Sequence, residues 1–206
     1  MVEKITVKKI ISKIKYGLIK RNIAYISSPI RIFPDFLIIG AVRSGTTSLY
    51  YDICEHKCVL PAAYDEIGFF DSNFELGFHW YKSMFPTKFE KNKITKNNHI
   101  CITGEDTQFY FWSKNARIRI KEKFPKIKLI VLLRNPVDRA YSNYNLGVRG
   151  GSEHLSFEES IKKEIFLLEQ NNDIQSDGIE KYTRPRSYIS KGLYYNQIKK
   201  WFELFS

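Results

Sequence analysis

The chain has 206 residues, 43% hydrophobic and 15% aromatic, which is enough for one buried core and too apolar for a disordered tail. Thirty-three lysines and arginines against 22 acidic residues leave a net charge of +11, which implies an anionic partner: nucleic acid, membrane surface, polyanionic sugar or nucleotide. Cys54, Cys58 and Cys101 are too few for a disulfide framework, and with four scattered histidines they form no zinc pattern, so a reducing compartment and no resident metal are expected.

Residues 1–32 stand apart. Val7, Ile10, Ile11, Ile14 and Leu18 recur at helical spacing among Lys4, Lys8, Lys9, Lys13, Lys15, Lys20 and Arg21. Such a basic amphipathic helix either rests on an anionic membrane surface through residues 1–30 or packs on the domain as a solvated helix. No apolar run approaches the roughly 20 residues of a bilayer span, and no signal-peptide core is present, so the chain is expected in the cytoplasm, at most at the membrane surface. From 33 to 206 the pattern reads strand 35–40, helix 45–54, a short strand near 58–60, a helical stretch at 74–84, strand 100–105, helix 113–123, strand 127–133 and helix 136–149. Ser156 with Glu159 forms a capping box before a helix to about Glu169, residues 170–186 read as a loop, and Tyr194 to Phe205 as a last amphipathic helix. Alternation of this kind predicts an α/β fold with a central parallel sheet flanked by helices. His79 and the aromatic residues Trp80, Tyr81 and Tyr194 are expected to pack, not to act.

Two segments carry the chemistry. In PDFLIIGAVRSGTTSLY (Pro34 to Tyr50) an apolar strand breaks at Gly40 into a turn, and Thr46, Thr47 and Ser48 open a helix whose free N–H groups favour phosphate. The Gly40–Gly45 spacing matches half of the nucleoside-triphosphate P-loop, but Thr46 stands where that motif needs lysine, leaving Arg43 as the cation in the turn. In LIVLLRNPVDRAYSNY (Leu129 to Tyr144) a strand ends in Arg134, a cation suited to an anion. No zinc-finger spacing, RNP motif or helix-turn-helix signature accompanies them, so nucleic acid is not the expected partner.

These two segments resemble those of the sulfotransferase family, closest to its heparan-sulfate-type branch, whose donor is 3′-phosphoadenosine 5′-phosphosulfate (PAPS). The resemblance implies that Arg43, Ser44, Gly45, Thr46, Thr47 and Ser48 hold the 5′-phosphosulfate, that Arg134 and Ser142 grip the 3′-phosphate, and that 3′,5′-adenosine bisphosphate (PAP) is the product. DEIGFFDSNFELGFHWYKSMFP (Asp65 to Pro86) is similar to the stretch with the catalytic glutamate, which falls on Glu66. A carboxylate there can take the proton of an attacking hydroxyl or amine, and Phe69 and Phe70 are expected to keep water from it. TGEDTQFYF (Thr103 to Phe111) and SKGLYYNQIKKW (Ser190 to Trp201) extend the likeness over roughly 33–205. It implies a P-loop-like three-layer form of the α/β fold, and sulfuryl transfer from PAPS, without a metal, to an acceptor expected to be a carbohydrate.

Three departures stand out. Arg43 replaces a frequent lysine, so it can stabilise the leaving oxygen only electrostatically. Asp65 replaces the lysine that often precedes the glutamate. The chain ends at Ser206, where family domains go on to another strand and a loop over the donor, so a C-terminal truncation is expected. Two other readings stay open at this point: a P-loop kinase using ATP and magnesium with Asp106 as the metal carboxylate, and a non-catalytic binder of nucleotide or acidic glycan.

Overall fold

The computed structural model describes residues 25–95, 100–170 and 187–205. The expected N-terminal amphipathic helix and nearly all of the loop at 170–186 lie outside them. Four strands, β1 (Phe36–Gly40), β2 (Val59–Pro61), β3 (Ile102–Asp106) and β4 (Lys128–Val131), form one sheet in the order β2-β3-β1-β4, with every pairing parallel. The helices are α1 (Thr46–Cys54), α2 (Gly77–Ser83), α3 (Lys88–Thr95), α4 (Lys114–Lys123), α5 (Pro136–Arg149), α6 (Phe157–Gln170) and α7 (Tyr194–Phe202).

The three layers follow from the period-two alternation of β1. Phe36 and Ile38 pack with Tyr50 of α1 and Val59 of β2 on one face. Leu37 and Ile39 face the larger core of Phe69, Phe70, Tyr81, Phe111, Ile120 and Trp201 on the other. β1 is buried along its whole length, as a central parallel strand covered on both faces must be. Close approach requires glycine twice: a Cβ at Gly104 would lie 2.5 Å from the Phe36 ring, and one at Gly40 would lie 2.6 Å from the Phe111 Cβ. The Trp201 indole donates to the Phe111 carbonyl at 3.0 Å and docks α7.

The sequence boundaries hold to within a few residues, with three differences. Residues 74–84 divide into a 3₁₀ turn, Phe74–Leu76, and α2. Helix α3 was not foreseen, because KFEKNKIT lacks an apolar stripe; a local cap starts it, with the Glu90 carboxylate accepting from the Thr87 N–H and hydroxyl and the Thr87 hydroxyl accepting from the Glu90 N–H. A 3₁₀ turn, Gln108–Phe111, follows β3. The Ser156–Glu159 capping box forms as expected. No helix among the described residues is long and apolar enough to cross a membrane.

The chain leaves β1 toward β2 and β3 on one side and later places β4 on the other. At such a reversal the loops leaving the carboxyl ends of neighbouring strands part and open a crevice.

Candidate functional site

Because β1 and β4 are neighbours, the turn after Gly40 and the loop carrying Arg134 emerge side by side. Pairing continues past the strands: the Ala41 N–H donates to the Leu132 carbonyl and the Leu132 N–H to the Gly40 carbonyl, each at 2.8 Å. The Arg134 Nη1 then donates to the Arg43 carbonyl at 3.4 Å, so the second loop touches the first. Arg43 has a φ of 66°, in the left-handed region, and Gly45 follows at 89° as the N-cap of α1. These turns aim the chain so that Thr46, Thr47 and Ser48 form the first turn of α1, where N–H groups have no intrahelical acceptor. The Ser44 hydroxyl oxygen is buried in the turn with no hydrogen-bond partner, and a Cβ at Gly45 would meet nothing within 4 Å. Such a turn offers room and donors to an anion.

Arg43 reaches sideways. Its Nε and Nη2 donate to the Ser142 Oγ at 3.1 and 3.0 Å, which links residues expected at opposite ends of one ligand. Asn135 caps α5, the helix that carries Ser142, by accepting from the Val137 and Asp138 N–H groups at 2.9 and 3.5 Å. Arg134 and Ser142 line one cavity of about 440 Å³ together with Asp138, Tyr141, Asn145 and Arg149. A larger groove, about 700 Å³, lies between β4, α4 and α7; it is walled by Leu129, Val131, Trp201 and Phe205 and contains none of the expected site residues.

Glu66 lies on the opposite side of the first turn, exposed and with a φ of 51°. Gln108 joins the two. Its Nε2 donates to the Glu66 Oε1, and its Oε1 accepts from the Arg43 N–H at 3.4 Å. The sequence reading missed Gln108, although its place two residues past β3, on the carboxyl edge of the sheet, was a usable signal. The expected shielding of Glu66 by Phe69 and Phe70 is not met: both rings are 0% exposed in the aromatic core, Phe69 stacking on Tyr81 at 4.4 Å, while Glu66 faces solvent. Residues between Glu66 and the rings turn the chain inward, so their contribution is to anchor.

Other acidic groups gather here. Asp106 at the end of β3 is buried, with the Thr47 hydroxyl near its carboxylate. Its burial, then the nearby Asp65 charge, pushes its carboxyl up to about 6, against the pull of the Thr47 hydroxyl. The Tyr51 hydroxyl donates to Asp65, which is the main reason that phenol is pushed up to about 12. His79 pairs instead with the Ser28 hydroxyl at 3.0 Å, as a packing residue should. Tyr81 is fully buried, and Tyr194 adds a bond of its own, its hydroxyl donating to the Arg134 carbonyl at 3.1 Å. Among the described residues no group of three or more His, Cys, Asp or Glu side chains is placed to hold a metal ion.

Residues 33–206 match the family model described as a sulfotransferase domain. The chain is 34% identical over 144 residues to the membrane-associated sulfotransferase kil1 of Dictyostelium discoideum, an alignment covering 66% of this chain and 29% of that one. It is 36% identical over 117 residues to the bifunctional heparan sulfate N-deacetylase/N-sulfotransferase 4 of Mus musculus, covering 54% of this chain and 13% of the relative. The chain thus spans less than a third of either curated relative. Among solved structures it resembles a sulfotransferase from Alicyclobacillus acidocaldarius, with a TM-score of 0.58 at 28% identity, covering 84% of this chain and 70% of that one.

Proposed function

This chain belongs to the sulfotransferase family, closest to the heparan-sulfate type, and from that membership we propose that its adjoining loops hold PAPS while Glu66 serves a hydroxyl or amine acceptor, a carbohydrate. The observation that carries the reading is the contact of Arg134 with the Arg43 carbonyl across neighbouring strands, which sets two anion grips side by side. The residues suit a doubly anionic nucleotide: an unpartnered Ser44 hydroxyl and the α1 amides at one end, and the cavity shared by Arg134 and Ser142 at the other.

The donor supplies the sulfuryl group, and PAP departs when its phosphate–sulfur bridging bond breaks. The Glu66 carboxylate accepts the proton that the acceptor oxygen or nitrogen loses as it bonds to sulfur. Gln108 holds Glu66 within one side chain of the donor turn. Arg43 and the N–H groups of Thr46, Thr47 and Ser48 stabilise negative charge on the leaving oxygen, a preorganised stabilisation that needs no proton transfer. Arg134 and Ser142 select the 3′-phosphate that ATP lacks. In the same reading residues 33–206 form the donor-binding unit, no metal takes part, and the basic segment 1–32 contacts an anionic membrane surface.

Calorimetric titration with PAP and with ATP, each with and without magnesium, tests the donor. PAP binding unaffected by magnesium is expected, and tight ATP binding that needs magnesium would return the kinase reading. Turnover of PAPS with N-deacetylated heparosan, which offers both amines and hydroxyls, separates an enzyme from a non-catalytic binder.

A further inference from the structure

Glu66 occupies a conformation its residue type disfavours. Its φ of 51° carries a penalty of about 1 kcal/mol or more for a residue with a Cβ, and Gly68 follows at 60°. Such a turn persists only where its surroundings hold it from both sides. On the near side the Glu66 N–H donates to the Asp106 carbonyl at 2.9 Å. On the far side three successive amides are held by two hydroxyls: Gly68 N–H donates to Thr107 Oγ1 at 3.1 Å, and the N–H groups of Phe69 and Phe70 donate to the Tyr110 hydroxyl at 2.8 and 3.3 Å.

Behind these hydroxyls stands one carboxylate. Thr107 donates to Glu105 Oε2 at 2.9 Å, Tyr110 to Oε1 at 3.2 Å, and Tyr81, from α2, to Oε1 at 2.7 Å. Glu105 is 0% exposed. A hydroxyl has one proton and two lone pairs, whereas an ionised carboxylate only accepts. Committing the Thr107 and Tyr110 protons to Glu105 leaves their lone pairs facing the loop amides. An apolar residue at 105 would pack at less desolvation penalty but would leave both hydroxyl directions unset.

We infer that Glu105 is a positioning residue for the reaction: by orienting the hydroxyls of Thr107 and Tyr110 it tethers the amides of Gly68, Phe69 and Phe70, and so holds Glu66 at the donor mouth. The inference rests on the reading of Glu66 as the base. Burial pushes Glu105 up to about 7, and the Tyr81, Thr107 and Tyr110 hydrogen bonds oppose that shift, as they must if the accepting form is the working one.

Tyr81 and Tyr110 supply a matched pair of tests. Tyr81→Phe and Tyr110→Phe each remove one buried hydroxyl that donates to Glu105, but only Tyr110→Phe also removes the acceptor of the Phe69 and Phe70 amides. With PAPS and N-deacetylated heparosan, Tyr110→Phe is expected to lower kcat roughly tenfold or more beyond Tyr81→Phe, with the KM for PAPS changed by less than about twofold. Native-state hydrogen exchange should quicken at Phe69 and Phe70 in Tyr110→Phe and not in Tyr81→Phe. Glu105→Gln should lower kcat in the natural chain yet add nothing in a Glu66→Gln background, since it acts through Glu66. Equal kcat and equal exchange in the two tyrosine variants would overturn the tether while leaving Glu66 as base. A fully active Glu66→Gln would overturn the base assignment and, with it, the role given to Glu105. An additive loss in the double variant would reduce Glu105 to a purely structural part.

Discussion

The turn after Gly40 and the Glu66 turn lie at one sheet edge, and each contains a non-glycine residue at positive φ, but they are held in opposite ways. Arg43 at 66° is held by contacts at the rim: Gln108 and Arg134 at 3.4 Å, and Ser142 at 3.0 and 3.1 Å. Glu66 at 51° is braced from below by hydroxyls and a carboxylate inside the core. Adjustment is tolerated at the first and not at the second. In the proposed reading, a grip made of partly solvated contacts can reshape around a charged ligand, whereas a base must be placed before the acceptor arrives, and rigid support serves that end.

The contrast can be broken most sharply at Glu66. Glu66→Gln is expected to lower turnover about 100- to 10,000-fold with PAP affinity unchanged by calorimetry; a parallel loss of PAP binding would mean that the two regions are not separable. Next comes protonation of the core. Glu105 is pushed from an ordinary 4.5 up to about 7, so the folded chain holds that proton more tightly than the unfolded one. The stability this contributes is fully present below about 4.5 and lost as pH rises through about 7, on the order of 3 kcal/mol. Asp106, pushed from 3.8 to about 6, acts with the same sign. Urea midpoints at pH 5 and pH 8 should differ less in Glu105→Gln than in the natural chain; an identical slope would assign the pH dependence elsewhere.

At the rim the effects are smaller and fall on binding. Arg134→Ala is expected to weaken PAP about 10- to 100-fold, the worth of a charge-assisted hydrogen bond, with the urea midpoint nearly unmoved. Ser142→Ala should weaken it about 2- to 10-fold by the same titration. Should Ser142→Ala unfold the chain more readily than Tyr110→Phe, the assignment of rim and core roles is reversed.

Legibility followed the range of the forces involved. The turn after Gly40, the strand leading to Arg134 and the Ser156 cap were readable because apolar runs, glycines and capping pairs act within a few residues. Helix α3 was readable in principle from Thr87 and Glu90 but had no apolar stripe to draw attention. Glu105 and Gln108 were not legible. Their roles depend on Tyr81, 24 residues before Glu105, and on Arg43 and Glu66, 65 and 42 residues before Gln108, and no local pattern reports such meetings. Phe69 and Phe70 were assigned to Glu66 by nearness in sequence, but the left-handed turns at Glu66 and Gly68 send them into the core.

Gln108 spans the space between the two turns. A carboxamide is asymmetric, and here its two ends meet opposite needs, an N–H of the Arg43 peptide and a carboxylate oxygen of Glu66. Neither a carboxylate nor an ammonium could answer both: glutamate would set like charges face to face, and lysine would leave the peptide without an acceptor. Asparagine has the right ends and too short a stem. Position 108 therefore works as a gauge block, fixing the gap between the Arg43 peptide and the Glu66 carboxylate by the reach of two methylenes.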